Sequence, residues 1–352
     1  VDEFEGIKDL KDGIIRCVGD AGQRFDEDAL RMLRAVRFAG QLGFEIDDNT
    51  RNAIVQRADR LENISAERIR VELTKLLVAK EAGRLRDAYS TGMTRYFLPE
   101  LDKAMVTEQK NPHHVYTVGE HSIHGIEIMN CFFEVTSDRK MYDKVPEEVM
   151  ITAKKIAKKM NKKQHTILCM AMLLHDIAKP VVMTIDGDGT GHFYGHPQEG
   201  EKMAKKIMRR LTFDNESISK VCRLVKFHDY RIEDSNRAFR RAVSKIGADI
   251  MDMLFLVEYA DVLSQSDKML EEKLSKINSG VERFEYITQN AQPLSIKELA
   301  LTGTDLIAAG VKPGPNMGEI LKKMLDKVLD EPEANTKENL LEYLKTMDDF
   351  SL

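Results

Sequence analysis

The chain has 352 residues, a formal net charge of −5 and no tryptophan. Abundant Leu, Met, Ala, Lys and Glu with few aromatic residues point to a helical protein of two or three domains. The mild charge excludes nucleic-acid binding by bulk charge alone, leaving a local basic face as the only electrostatic route. Cys17, Cys131, Cys169 and Cys222 are far apart and form no CxxC pair. That pattern suits a reduced, cytoplasmic protein. The most apolar run, Ile167 to Leu174, is too short to span a bilayer, and no charged-apolar-small leader opens the chain.

Residues 1–22 read as the end of a domain. Gly6, Gly13, Gly19 and Gly22 punctuate a strand-like run from Ile14 to Val18 that has too little apolar surface to fold alone. A helix is expected from Asp26. Asp26 can cap it, Glu27 and Asp28 suit its positive N-terminus, and Phe25 can staple onto Leu30. Leu33, Val36 and Gly40 continue one face, Asp28, Arg31 and Arg34 lie along another, and Gly43 ends the helix. Further helices are predicted at 48–58, 65–79 and 81–91, with a boundary at Pro99.

The spacing predicts helices at 116–133, 146–159 and 164–177. Val181 to Gly195 is rich in Gly, Thr and β-branched residues, and Asp186-Gly187-Asp188-Gly189 reads as a hairpin turn. Helices resume at 197–211, 215–227, 234–246, 248–265 and 267–287, and 290–293 is a linker. The tail opens at Ser295 to Leu299, continues with a short helix from Thr304 to Ala309, and passes Lys312-Pro313-Gly314-Pro315 into a helix from Met317 to Leu329.

His121, His175, Asp176, His196, His228 and Asp261 are six possible ligands spread over this middle region. They suggest a metal site gathered from several helices. Nitrogen and oxygen donors without Cys suit Mg, Mn, Ni, Co, Fe or Zn. Lys179, three residues after Asp176, could bind a phosphate oxygen or simply complement a helix C-terminus. Of the remaining histidines, His165 is expected to be exposed. On the helix entry, Glu27 stands four residues before Arg31 and can hold its guanidinium. Asp28 and Arg31 together offer an acceptor beside a planar donor fork, which can match the pairing edge of a nucleobase. On spacing alone a solvated surface ion pair is the commoner explanation.

The run Gly6-Ile7-Lys8-Asp9-Leu10-Lys11-Asp12-Gly13-Ile14-Ile15-Arg16, followed by Arg24 through Ala39, resembles the bacterial tRNA nucleotidyltransferase (CCA-adding) and poly(A) polymerase family. So do Leu301 to Leu306, Gly310 to Pro315 and Gly318 to Leu321 in the tail. Asn111 through His121, Leu173 through Pro180, Gly195-His196, Phe227-His228-Asp229 and Asp261 resemble the HD phosphohydrolase superfamily, a domain that some CCA-adding enzymes carry.

These resemblances imply a mainly α fold: an elongated multi-helix neck and body (23–100) after a remnant of the nucleotidyltransferase head (1–22), then an all-α HD domain with one small β-hairpin (101–290) and a helical tail (291–352). They imply that Asp28 and Arg31 face CTP or ATP with Glu27 bracing and Arg34 on the same face. Lys312, Lys322 and Lys323 could contact tRNA phosphates, and a solvated face is an equal reading. The resemblances also imply that His121, His175, Asp176 and Asp261 hold a divalent ion, with His196 and His228 serving a second ion or phosphate, and His114 outside the ligand shell. Family members carry a Gly-Ser turn and an Asp-x-Asp pair in the head. Residues 1–22 supply neither, and Asp186-x-Asp188 follows no Gly-Ser element, so this polypeptide alone is not expected to add nucleotides. The alternatives are a stand-alone HD phosphohydrolase acting on nucleotides or cyclic phosphates, and a binding module with a degenerate site.

Overall fold

A computed structural model describes residues 2–110, 115–136 and 139–347, the side chains of Arg139 and Lys140 excepted. The described residues are mainly helical and carry two two-stranded sheets. The chain divides into two compact units, one of Val1–Asp229 with Met253–Ser275, the other of Tyr230–Asp252 with Lys276–Leu352.

The first unit opens with α1 (Gly6–Asp12), β1 (Ile14–Ile15), α2 (Ala21–Glu27), α3 (Leu30–Leu42), β2 (Glu45–Ile46) and α4 (Asp48–Arg57). The expected single helix from Asp26 is two helices. Asp20, not Asp26, caps the first by accepting from the Gln23 backbone N–H at 2.7 Å. Asp28 is extended, with φ −153° and ψ 99°, and breaks the run before Leu30. The strand-like stretch after Gly13 shortens to β1, which pairs in parallel with β2. Gly43 ends α3 at φ 72°, a conformation that favours glycine.

α5 (Ala66–Leu77), α6 (Leu85–Ser90), α7 (Thr94–Phe97) and α8 (Pro99–Val106) follow. α3 packs on α5, burying Met32, Leu33, Val36 and Ala39 on one side and Leu73, Leu76 and Leu77 on the other. Gly40 permits the close approach. A Cβ there would come within 2.9 Å of both the Glu81 carbonyl oxygen and a Leu76 methyl.

The rest of this unit contains α9 (Val118–Phe132), α10 (Arg139–Asp143), α11 (Glu147–Ala157), α12 (Lys162–Leu174), α13 (Lys179–Val182), the antiparallel pair β3 (Thr184–Ile185) and β4 (Gly191–His192), α14 (His196–Arg210) and α15 (Asn215–Phe227). An Asn161–Gln164 capping box starts α12. The apolar stretch of this region is longer than Ile167–Leu174. Residues 162–182 reach the length and mean hydropathy of a membrane span, but 78% of the most apolar window is buried inside the fold. It is a core segment, covered by α9 and α15 rather than by lipid.

His165 is buried, contrary to expectation. It stacks on Phe133 with ring centroids 3.9 Å apart, and its Nε2 lies 2.8 Å from Asn130 Oδ1. The Asn130 amide donates to the carbonyls of Leu77 and Ala79, so its oxygen is the acceptor and His165 Nε2 the donor. Burial pushes His165 down to about 4, which keeps it neutral.

α16 (Asn236–Ile246) lies in the second unit. α17 (Met251–Leu263) and α18 (Leu270–Gln289) each start in one unit and finish in the other. The second unit continues with α19 (Gly303–Ala308), α20 (Asn316–Asp330) and α21 (Lys337–Lys345). Buried Arg240 on α16 donates to the carbonyls of Leu329 and Asp330, at 2.7 and 3.1 Å, and so satisfies the C-terminus of α20.

Candidate metal centre and nucleotide-contacting residues

Four histidines and two aspartates from the ends of α9, α12, α14, α15 and α17 meet inside the first unit. His121 Nε2 lies 2.8 Å from Asp261 Oδ1 and 3.1 Å from His175 Nε2. His175 Nε2 is 3.2 Å from Asp176 Oδ2. His196 Nε2 and His228 Nε2 are 3.3 Å apart and lie 3.4 and 3.6 Å from Asp176 Oδ1. Asp176 therefore joins two groups that could each hold an ion: His121, His175 and Asp176 on one side, and Asp176, His196 and His228 on the other.

Local structure sets this convergence. His175 and His228 each follow the last residue of a helix, and their Nδ1 atoms turn back onto the carbonyls of Met172 and Val225, each at 2.8 Å. His196 Nδ1 meets the Phe193 carbonyl at 2.8 Å. His121 Nδ1 lies 3.2 Å from the Ser264 carbonyl and 3.1 Å from its hydroxyl. A carbonyl only accepts, so each Nδ1 carries the proton and each Nε2 turns a lone pair inward. Lone pairs facing each other at 3.1 and 3.3 Å need a cation or a proton between them.

His121, His175 and Asp176 are fully buried, and His196 and His228 nearly so. Asp176 Oδ1 has no hydrogen-bond partner. Burial would lower the His175 pKa, but Asp176 and Asp261 outweigh it and hold it up to about 10. Burial would also raise the two carboxyls, yet the imidazoles and, for Asp176, the Lys179 ammonium hold them well below the usual range. The His196 pKa is lowered by burial, with His228 and Lys179 adding to the effect. One turn before Asp261 on α17, the Glu258 carboxyl is pushed up to about 8 by burial and by the Asp261 and Asp229 carboxylates.

Lys179 is buried, with Nζ 2.6 Å from Asp176 Oδ2 and 2.8 Å from Gln109 Oε1. Gln109 and Ser264 have no place in the sequence reading because amides and hydroxyls carry no ligand signature. Asn111 to His114, including the histidine expected near the ligands, lies outside the described residues.

The other sequence candidates lie apart from this cluster. Glu27 Oε2 accepts from both Arg24 and Arg31 at 2.6 Å, and the Arg31 hydrogen bond lowers the Glu27 pKa. Arg31 also donates to the Arg24 carbonyl at 2.9 Å. Asp28 does not sit beside Arg31 on one helix face. Its Oδ2 accepts from Arg68 of α5 at 2.8 Å. Burial would raise the Asp28 pKa, but Arg68 and the Leu30 backbone N–H together lower it. Arg34 is exposed, its guanidinium 5.8 Å from the Phe38 ring centroid. In the second unit, Lys312 is exposed in the Gly/Pro loop before α20, and Lys322 and Lys323 are exposed on that helix.

Residues 43–105 match a family described as the probable RNA and SrmB-binding site of polymerase A. Residues 197–344 match one described as tRNA nucleotidyltransferase domain 2, putative. The CCA-adding enzyme of Leuconostoc mesenteroides is 46% identical over 99 residues, 28% of this chain and 25% of that protein. The chain thus aligns with about a quarter of the length of such relatives. The A-adding tRNA nucleotidyltransferase of Deinococcus radiodurans is 27% identical over 341 residues, 93% of this chain and 69% of that protein. Among solved structures, the Bacillus stearothermophilus CCA-adding enzyme in complex with CTP shares the fold with a TM-score of 0.59 at 21% identity, covering 98% of this chain and 68% of that one. The Thermotoga maritima CCA-adding enzyme complexed with tRNA gives a TM-score of 0.52 at 19% identity, over 98% of this chain and 67% of that one.

Proposed function

From its similarity to tRNA nucleotidyltransferases, we propose that the chain works in tRNA 3′-end processing as part of a CCA- or A-adding enzyme, and that its middle region is an HD-type, divalent-metal phosphohydrolase centre. The observation that carries the second part is the convergence of four inward imidazole lone pairs on the buried Asp176 carboxylate and the half-buried Asp261 carboxylate. The donor set fits a divalent ion, because the orphaned Asp176 Oδ1 and the opposed Nε2 atoms call for positive charge. His121, His175, Asp176 and Asp261 would hold it, and Asp176, His196 and His228 would hold a second ion or a phosphate oxygen. Such an ion lowers the pKa of bound water and offsets charge on phosphorus. Lys179 holds Asp176 ionised and in place, and is within reach of a phosphate oxygen at the same centre. The backbone carbonyls behind each Nδ1 fix the imidazoles before any ligand arrives.

In the neck, we assign Asp28 and Arg31 to the incoming base of CTP or ATP, with Glu27 bracing Arg31 and Arg34 nearby. In the tail, Lys312, Lys322 and Lys323 would meet tRNA phosphates. The purified chain should retain stoichiometric divalent metal by elemental analysis and hydrolyse 2′,3′-cyclic or simple phosphate esters. His175→Ala with Asp176→Ala should abolish both properties, and hydrolysis that survives the pair removes the assignment. Salt-dependent tRNA binding that weakens in Lys322→Ala/Lys323→Ala separates this reading from a free-standing phosphohydrolase, for which tRNA affinity would be negligible in every variant.

A further inference from the structure

Two consecutive residues just past the end of α17 hold the two ligand candidates that stand farthest apart in the chain. Ser264 meets His121 Nδ1 with its carbonyl and its hydroxyl. Gln265 donates from Nε2 to Asp261 Oδ1 at 3.0 Å, the same oxygen that lies 2.8 Å from His121 Nε2. The other end of the Gln265 amide accepts from Lys273 Nζ at 2.6 Å. Lys273 is the fourth residue of α18, near the positive end of that helix, where an ammonium works against the helix dipole. The stability of α18 therefore does not explain a lysine there. Burial draws the Lys273 pKa down, and the Asp261 and Asp229 carboxylates oppose that.

The two ends of this chain of hydrogen bonds fix its direction. An ionised carboxylate only accepts and an ammonium only donates. An amide has donors on one side and an acceptor on the other, so Gln265 satisfies both neighbours in a single orientation, Nε2 towards Asp261 and Oε1 towards Lys273. Asp261 needs such a hold more than Asp176 does. The Asp176 side chain is 2% exposed and pairs with Lys179 directly at 2.6 Å, whereas that of Asp261 is 15% exposed. A carboxylate on the open side of the centre is otherwise free to turn towards water. We propose that Gln265 and Lys273 are positioning residues of the metal centre: Gln265 aims Asp261 at the ion, and Lys273 keeps the Gln265 amide from flipping. The inference rests on reading the His/Asp cluster as a metal centre and is independent of whether that centre hydrolyses phosphate esters. The charge of Lys273 by itself would act in the opposite sense. An ammonium repels a cation bound nearby, so without the relay its removal would tighten metal binding.

Calorimetric titration of Mn²⁺ into the full chain tells the two effects apart by sign. Gln265→Met keeps the length of the side chain and removes both hydrogen bonds, while Lys273→Met removes the donor and its charge. Each should weaken Mn²⁺ binding by about tenfold, the usual scale for a group that orients a metal ligand. Lys273→Arg can still donate to the amide oxygen and should recover most of the loss. The double variant Gln265→Met/Lys273→Met should bind no more weakly than Gln265→Met, because the lysine acts only through the amide. Unchanged or tighter binding in Lys273→Met, or a double loss equal to the two single losses combined, overturns the relay. In excess chelator Lys273→Met should melt with the wild type. A lowered metal-free melting temperature that Lys273→Arg fails to restore marks a structural role and overturns the proposal. No Mn²⁺ binding by the wild type removes the metal reading and the relay together, whereas wild-type binding that both single variants leave untouched removes the relay alone.

Discussion

His175 decides how the centre responds to pH. Without metal its pKa stands near 10, raised by Asp176 and Asp261 against the effect of burial. A metal ligand must be unprotonated. Below pH 10 the ion therefore displaces a proton, and apparent affinity should rise by about tenfold per pH unit across the neutral range. The aspartates do not contribute to that slope, because both stay ionised well below ordinary carboxylate values. Calorimetric titration of Mn²⁺ in buffers of differing ionisation enthalpy should count about one proton released per ion. A count of zero would contradict a protonated His175. Asp176→Asn should cost more metal affinity than Asp261→Asn, because Asp176 alone belongs to both ligand groups. Equal losses in metal binding would show that the second group holds no ion.

At the scale of elements, two packing devices invite a test. The Asn130–His165 pair ties α9 and α12 to the end of α5 through the Leu77 and Ala79 carbonyls. His165 has a folded pKa of about 4, below its ordinary value of 6.5. The unfolded chain then takes up the proton first as pH falls. Stability present above pH 6.5 is lost on the way down to about pH 4, by roughly 3 kcal/mol at the acid limit. His165→Gln keeps a donor for Asn130 and removes that titration. Urea unfolding should show the variant weaker at pH 7 and the gap narrowing at pH 4.5. At the α3–α5 contact, Gly40→Ala would push a methyl against the Glu81 carbonyl and Leu76. It should cost about 1–3 kcal/mol by the same measurement.

The elements themselves were legible to different degrees. α14 and α15 fall within a residue or so of the expected 197–211 and 215–227, because Asp214 and the glycine before His196 mark their ends locally. The Asp-Gly-Asp-Gly turn likewise announces β3 and β4. The break at Asp28 did not show. Asp20 and Asp26 are equally good caps by residue type, and Asp28 is held by the Arg68 contact, 40 positions away, as well as by the Leu30 backbone N–H. Burial of His165 depends on Asn130 of another helix, so no local pattern reveals it. The same limit applies to the centre. Order and spacing bring its histidines and aspartates to notice, whereas the orienting carbonyls of Met172, Phe193, Val225 and Ser264 have no residue-type signal.

For the molecule as a whole, the ligand candidates lie in one of the two compact units. A bound ion stabilises only the state that holds it, by about 2.7 kcal/mol at a hundredfold excess over Kd. Scanning calorimetry should therefore show metal raising the melting transition of the unit of Val1–Asp229 with Met253–Ser275, and a chelator reversing the shift. The second unit's transition should not move. A single transition displaced as one would mean that the units unfold together. The connectivity also has a temporal side. His121 and its closest carboxylate, Asp261, stand 140 positions apart, and the chain leaves the first unit directly after Asp229 and returns only at Met253. During translation at roughly 5–20 residues per second, a nascent chain would thus expose five of the six groups for several seconds before the last emerges from the ribosome. Any ion captured in that interval would be weakly held, and exchange with the cell's metal pool would go on until α17 docks.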